Sequence, residues 1–327
     1  MNKEKLLAIP ANFKNKRILV VGDIMLDKYI WGDVSRISPE APVQVVNIIR
    51  ETYAPGGAAN VANNVAALGA EVYLVGIAGE DESRRILLSE LNKRDINTDG
   101  VYIDGSKPTI QKIRAMARSQ QLLRIDYESK NMSTDLSEKS IIDFISLNIE
   151  KFDGVIVSDY AKGVITPQTM SRLRLLSKDK NKPIIVDPKP KNCNLYANVT
   201  LVTPNHNEAS EMANIEVSDE ASIREIGLRL VNSLSTNILV TRGEKGMSLF
   251  EADREITDIP TKAKEVYNII GAGDTVVAVV ALALVSGATL KEAAILGNIA
   301  AGIKVGKIED PTVATREIED YLKNNFY

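Results

Sequence analysis

An α/β fold, with a large, mostly parallel sheet and a small β-sheet lid beside it, is what the sequence predicts, on three observations. Short runs rich in Val, Ile and Leu alternate with helical stretches along most of the chain, which is the rhythm of parallel strands joined by crossover helices. Those runs are nearly continuous in apolar residues, as strands covered on both faces are. Two segments, about 26–52 and 101–127, instead alternate apolar and polar residues, as in Thr109-Ile110-Gln111-Lys112-Ile113-Arg114. That is the pattern of a half-exposed antiparallel strand, and both segments are assigned to a small sheet outside the main one.

Taken in order, the strand candidates are residues 17–21, 72–76, 154–157, 183–186, 201–203 and 237–241, followed by a short meander at 247–250 and 255–259. Helices are expected over 58–68, 82–94, 139–151, 167–178, 218–233, 290–305 and 315–324. The apolar run 276–285 is about half of what a bilayer crossing requires and predicts a buried helix. No repeat, low-complexity tract or long linker divides the 327 residues.

Composition excludes several classes. With 40 Lys+Arg against 43 Asp+Glu, no overall bias favours nucleic acid or a membrane surface. One cysteine, Cys193, and one histidine, His206, leave no disulfide framework, zinc cluster or His-rich metal site. The first 16 residues alternate charged and apolar groups, unlike a signal peptide, so a soluble cytoplasmic protein is expected. No Gly-x4-Gly-Lys-Ser/Thr sequence occurs, and Gly271-Ala272-Gly273 lacks the third glycine of a dinucleotide fingerprint.

The chemistry centres on Gly271-Ala272-Gly273-Asp274-Thr275, a Gly-rich turn that runs straight into the apolar helix. Such a turn converges N–H groups and the helix dipole on an anion. A carboxylate there suits a base that takes a proton from the group attacking a phosphate, although an acidic residue also simply caps a helix. In open parallel sheets ligands bind beyond the carboxyl ends of the strands. The predicted strands end in Gly22-Asp23, Ser158-Asp159-Tyr160-Ala161-Lys162-Gly163, Asp187-Pro188-Lys189, Thr203-Pro204-Asn205-His206-Asn207-Glu208 and Thr241-Arg242-Gly243-Glu244-Lys245-Gly246. Together these form a polar rim suited to sugars, phosphates and magnesium. Asn205 and Glu208 are the expected magnesium pair, acting through water, and Asn-x-x-Glu is equally a serviceable helix start. Lys107, Lys112, Arg114, Arg118 and Arg124 lie within 107–124 without an acidic residue, which fits either a phosphate-bearing substrate beneath a lid or a solvated strand edge.

Over essentially the whole chain the pattern resembles the ribokinase-like (PfkB-type) carbohydrate kinases. Pro55-Gly56-Gly57-Ala58-Ala59-Asn60-Val61-Ala62 and Gly271-Ala272-Gly273-Asp274-Thr275 carry the resemblance, in the family's order and spacing. Val21-Gly22-Asp23-Ile24-Met25-Leu26-Asp27, Ser35-Arg36-Ile37-Ser38-Pro39-Glu40-Ala41-Pro42-Val43, Arg118-Ser119-Gln120-Gln121-Leu122-Leu123-Arg124, Ser158-Asp159-Tyr160-Ala161-Lys162-Gly163 and Val202-Thr203-Pro204-Asn205 are similar to the D-glycero-β-D-manno-heptose 7-phosphate kinases. The resemblance implies one ribokinase-like three-layer domain over 1–327, with the lid segments inserted. It also implies ATP and Mg2+ as cofactors, a sugar phosphate as substrate and a homodimer through the lid sheets. Other phosphosugars, nucleosides, or a silent nucleotide- or sugar-binding role are the alternatives.

Carried over residue by residue, the resemblance makes Asp274 the base and Gly271, Ala272 and Gly273 the anion hole. It places Asp23, Gly56, Gly57, Asn60 and Asp159 at the sugar, with Asn205, Glu208, Thr241, Gly243 and Gly246 along the nucleotide groove. Charge and placement assign Arg36, Lys112, Arg114 and Lys162 to the substrate's own phosphate. Two departures leave a monovalent-cation requirement without support: Asn268-Ile269-Ile270 replaces the family's Asp-x-Thr, and Gly306-Lys307-Ile308-Glu309-Asp310-Pro311-Thr312 replaces its Gly-Thr pairing. Relatives are often fused to an adenylyltransferase domain. The chain ends at Tyr327, so that second activity is expected to be absent from it.

Overall fold

A computed structural model describes residues 3–117, 120–129, 134–261, 269–307 and 312–325. Arg118 and Ser119, Asn268, and 308–311 therefore lie outside the described residues.

In chain order the strands are β1 (Arg17–Gly22), β2 (Ile24–Ile37), β3 (Gln44–Gly57), β4 (Glu71–Ala78), β5 (Asn97–Ile103), β6 (Gln111–Ala117), β7 (Gln120–Tyr127), β8 (Gly154–Ser158), β9 (Ile184–Asp187), β10 (Leu201–Val202), β11 (Asn237–Thr241), β12 (Met247–Phe250) and β13 (Ile256–Ile259). The helices are α1 (Lys3–Ala11), α2 (Ala58–Ala67), α3 (Glu82–Asn92), α4 (Asp135–Asn148), α5 (Pro167–Asp179), α6 (His206–Ala213), α7 (Glu220–Leu234), α8 (Ala272–Val285), α9 (Leu290–Val305) and α10 (Thr315–Asn325).

The main sheet has the order β13-β12-β11-β10-β9-β8-β1-β4-β5 and is parallel except for β12 and β13. Strand alternation splits its core in two. Ile18 and Val20 of β1 face α1, α2, α3, α8, α9 and α10, whereas Leu19 and Val21 face α4 to α7. This is the three-layer α/β arrangement that the continuous Val/Ile/Leu runs predict. The apolar run 276–285 forms most of α8, and Val276 to Ala283 are buried all round. Among the described residues no helix is long and apolar enough to cross a membrane.

Side-chain caps set several helix starts that periodicity alone misplaces. Thr134 accepts from Ser137 N, so α4 begins at Asp135 instead of 139, and Asp219 begins α7 at Glu220. The N-terminal segment also forms a helix, α1, anchored by buried Leu6 and Ile9.

The second sheet has the order β3-β2-β6-β7. Two expectations are corrected here. Residues 101–103 belong to β5, which pairs parallel with β4 as the edge of the main sheet. Strand β6 runs parallel to β2, not antiparallel. Alternation reports one covered face and carries no direction; β6 is reached through β4, α3 and β5, a crossover connection, so it enters in the sense of β2.

Helix α7 packs on β12 through a glycine. A Cβ at Gly227 would lie 2.4 Å from ring atoms of Phe250, which is fully buried. Alanine in place of glycine gains about 1 kcal/mol of helix preference, but overpacking costs about 1–3 kcal/mol. Urea unfolding of Gly227→Ala should therefore show a net loss of up to about 2 kcal/mol, and a clear gain in stability would refute this packing constraint.

Candidate active site

Strand order reverses between β1 and β8: the chain leaves β1 towards β4 and β5 on one side, then fills β8 to β11 on the other. At that switch point the carboxyl ends of two strands diverge and open a crevice. Asp23 sits in it, 1% exposed. Its carboxylate accepts N–H groups from Tyr160 (2.9 Å), Lys162 (3.0 Å) and Val164 (3.1 Å). Burial, with Asp159 nearby, pushes its pKa above the ordinary range against the pull of those bonds. Three of its acceptor sites thus clamp the 159–164 loop, and Asp23 is committed to backbone instead of open to a sugar. Asp159 is similarly occupied, by Tyr196 Oη (2.6 Å), Asn192 Nδ2 (2.7 Å) and Ala161 N (2.6 Å).

Opposite the clamp, α2 and α8 meet. Gly57 caps α2 with φ 56°, where a Cβ would lie 2.4 Å from the carbonyl oxygen of Asp23, so the backbone approach requires glycine. A Cβ on Gly56 would lie 3.0 Å from Asp27 Cγ. Gly271 caps α8 with φ 77°, and α8 leaves the N–H groups of Gly273 and Asp274 without intrahelical acceptors. Around Gly273 there is open space. Asp274 is 8% exposed. Asn60 Nδ2 donates to it at 2.5 Å, and Tyr160 also donates. Thr275 Oγ1 donates to Asn64 Oδ1 (2.7 Å), and Asn64 Nδ2 donates to the carbonyl of Asn60 (2.8 Å), so both helices are cross-tied. Burial raises the Asp274 pKa to about 6; Asn60, Tyr160 and Lys189 pull it down, and the charge of Asp27 pushes it up.

Behind Asp274 lies a group of charges from β9 and α6. Burial, Asp274 and Glu208 hold Asp187 well above the usual carboxylate range. Lys189 pairs with Glu208 and lies 5.4 Å from the Tyr160 ring centroid. Asn205 and Glu208 form a capping box for α6: Asn205 Oδ1 accepts from Glu208 N (3.0 Å) and Glu208 Oε2 from Asn205 N (3.1 Å). Thr241 bridges Asn205 in parallel register, and Gly243 and Gly246 bracket the single turn beyond it. Among the described residues no cluster of three metal-ligating side chains occurs. The surplus of carboxylates around one lysine fits a hydrated divalent cation shared with phosphates, which needs only one or two protein ligands.

The small sheet supplies the roof. Register puts Asp27, Lys112, Tyr29 and Arg114 on one face. Arg114 donates to Asp27 (2.8 Å) and lies 5.3 Å from the Tyr29 ring centroid. Lys112 pairs with Asp126 (2.8 Å) and Glu128 (3.0 Å), and Lys162 with Glu128 (2.7 Å). These cations are therefore gathered at one place but already paired with acids lying beyond the 107–124 segment. Arg36 is not among them. It is exposed near the far end of β2, nine residues past Asp27, which is about 30 Å along a strand. Sequence reasoning gave Asp27, Tyr160, Asp187 and Lys189 no role, although all four stand in the motifs it singled out. For Asp27 the available signal was its parity with Tyr29 along β2, which puts both on the face that looks into the crevice.

The Asn60 hydrogen bond favours the ionised form of Asp274. Carboxyl carbon NMR should give Asp274 a midpoint near pH 6 and a higher one in Asn60→Ala; an unmoved or lowered midpoint would contradict the assigned bond.

A family model described as pfkB family carbohydrate kinase matches residues 15–313. Among curated relatives, the Bifunctional protein HldE of Citrifermentans bemidjiense is 43% identical over 303 residues, covering 92% of this chain and 62% of that protein. The Bifunctional protein HldE of Geobacter metallireducens is 41% identical over 319 residues, covering 97% and 65%. The chain thus spans less than two thirds of the length of these relatives. The solved structure of phosphofructokinase-2 from Escherichia coli in complex with potassium superposes with a TM-score of 0.78 at 20% identity, covering 94% of this chain and 99% of that one. Arabidopsis thaliana ribokinase complexed with ribose and ATP gives 0.73 at 19% identity, with coverage of 94% and 99%. These two likenesses establish a shared ribokinase-like fold. By the extent of the family match and the identity to curated relatives, the chain belongs to the pfkB family of carbohydrate kinases.

Proposed function

We propose that this chain phosphorylates D-glycero-β-D-manno-heptose 7-phosphate at O1 with ATP, giving the 1,7-bisphosphate used towards ADP-heptose and lipopolysaccharide core. Family membership supports ATP-dependent sugar phosphorylation, and the relatives named HldE together with the heptose-kinase-like motifs support the heptose. The observation that carries the mechanism is Asp274: a carboxylate buried at a helix N-terminus, with a pKa near 6, beside unpaired N–H groups.

In this reading the sugar hydroxyl oxygen attacks the γ-phosphorus, its proton passes to Asp274, and the bond to the departing ADP oxygen breaks. A base with pKa near 6 is mostly ionised at neutral pH yet basic enough to accept the proton. The N–H groups of Gly273 and Asp274 and the positive end of α8 would stabilise charge on the transferring group. Asn60 orients Asp274, and Asp27, held by Arg114, faces the sugar hydroxyls. Lys112 and Lys162 would exchange Glu128 for the 7-phosphate. Glu208 and Asp187 would hold Mg2+ through water, and the ion would neutralise nucleotide phosphate charge. Thr241, Gly243 and Gly246 border the nucleotide.

ADP release with MgATP should be confined to the heptose when fructose 6-phosphate and ribose are run beside it. Asp274→Asn should lose roughly 10²- to 10⁴-fold in kcat while ATP still raises its melting temperature. In the wild type kcat/KM should fall as pH drops through about 6, as the base protonates. Near-normal turnover of Asp274→Asn would remove the base assignment. Turnover of another phosphosugar in preference to the heptose would move the substrate and keep the chemistry.

The homodimer belongs to the same proposal. Ile48, Leu123 and Ile125 are 58%, 56% and 47% exposed. Register places them on the face of the small sheet opposite Asp27, Lys112 and Arg114. A contiguous apolar sheet face of this kind is suited to a second copy. Leu123→Glu with Ile125→Glu should convert a dimer to a monomer in light scattering; a wild-type monomer, or a variant that stays dimeric, would exclude this interface.

A further inference from the structure

Glu128, just past the end of β7, ties the small sheet to the body of the protein. Its Oε1 accepts from Lys162 Nζ at 2.7 Å and its Oε2 from Lys112 Nζ at 3.0 Å. Lys162 belongs to the loop clamped by Asp23, and Lys112 lies opposite Asp27 on β6. The two oxygens of one carboxylate thus span two ammonium groups brought in by different elements, as two oxygens of a phosphate would. These are not freely solvated lysines: the side chains of Lys112, Lys162 and Glu128 are 15%, 28% and 29% exposed. Lys162 and then Lys112 hold the Glu128 carboxyl below the ordinary carboxylate range against its burial, so it is ionised at neutral pH.

The surrounding acids are otherwise engaged. Asp27 holds Arg114, and Asp126 holds Arg124 as well as Lys112. Glu128 alone among the described acids pairs with Lys162. Its charge therefore decides whether Lys162, and half of the pairing of Lys112, is open to another anion. A carboxylate tethered beside its partners acts at an effective concentration on the order of millimolar. It weakens every incoming anion by the same factor, so what enters depends on how strongly that anion binds in its own right. A phosphate at neutral pH brings a charge of about −1.5 to −2 and three acceptor oxygens. A sugar carboxylate brings no more charge than Glu128, and it also gives up its freedom of motion on binding.

We propose that Glu128 is a specificity-determining residue, a resident competitor that stands where the substrate's phosphate is to lie, admitting a phosphate dianion and turning away monoanions such as sugar carboxylates. This rests on the proposed place of the phosphate between Lys112 and Lys162, and not on which sugar carries it. Displacing Glu128 also passes the tie between the small sheet and the clamped loop from a protein carboxylate to the substrate. That loop carries Tyr160 to Asp274, so the phosphate end of a bound sugar and the base flank the same crevice.

The test uses the full chain with isotope-labelled lysine, titrated by NMR at constant ionic strength with inorganic phosphate and, separately, with acetate. The Cε signals of Lys112 and Lys162 are assigned from Lys112→Arg and Lys162→Arg. In the wild type, phosphate should move both signals to saturation, and acetate over the same range should leave them in place. Glu128→Gln keeps the shape and removes the charge. In that variant phosphate should saturate at about three- to tenfold lower concentration, the worth of two part-exposed ion pairs, and acetate should now move both signals. With MgATP and the heptose 7-phosphate the gain should fall on KM, because Glu128 is displaced in ground and transition states alike. A purely structural Glu128 predicts a looser lid and weaker phosphate binding, so equal or weaker binding in the variant would overturn the proposal. Acetate acting as strongly as phosphate on the wild type would overturn it too. Lysine signals that stay still in both proteins would remove the phosphate position itself, and the role of Glu128 with it. Signals that respond as expected in a chain that does not turn over the heptose would uphold Glu128 and overturn only the substrate.

Discussion

The structure depends on bringing a carboxylate out of water and keeping it chemically available. Asp274 lies at the start of a helix that is apolar on every side, and placing an ion there costs several kcal/mol unless it is compensated. Compensation comes from a distant part of the chain. Asn60 on α2 donates to it directly, and the Asn64 contact with Thr275 holds α2 in the position from which Asn60 can reach. The pKa near 6 is the balance between burial, which disfavours the charge, and these donors with Lys189, which favour it.

A second buried carboxylate acts differently. Asp23 lies at the point where strand order reverses, where diverging loops need something to define them. With three N–H groups on one carboxylate, the 159–164 loop has its backbone donors satisfied and its course set. Tyr160 is carried by that loop to Asp274 and to the face of Lys189. The two carboxylates thus divide the work: Asp23 shapes the crevice, and Asp274 stands inside it with a titratable proton.

The roof of the crevice is an ion-pair network instead of a bare positive surface. Asp126 and Glu128 hold Lys112, Arg124 and Lys162, while Asp27 holds Arg114. Half-buried cations without partners would repel one another and bear a desolvation cost, so pairing is the stable state when no phosphate is present. Under the proposed function, a phosphate-bearing substrate would enter by exchanging one set of acceptors for another.

Much of this was legible in the residues. Continuous Val, Ile and Leu runs determined which strands are covered on both faces, and six of the main-sheet strands fall within a residue or two of expectation because burial on both sides leaves no other pattern. Gly57 and Gly271 stood out within the two Gly-rich motifs because positive φ, and at Gly57 a close backbone approach, admit glycine almost alone. Tertiary structure alone decided the rest. Alternation told that 101–127 had exposed faces but not that 101–103 would join the main sheet or that β6 would run parallel to β2, since strand direction is set by the path of the chain between strands. Likewise, the residue types at Asp23, Asp159, Lys112 and Lys162 were evident, but their partners were not. A carboxylate reads the same in sequence whether it meets a sugar or three backbone N–H groups, and only folding brings residues 23 and 164 within 3.1 Å.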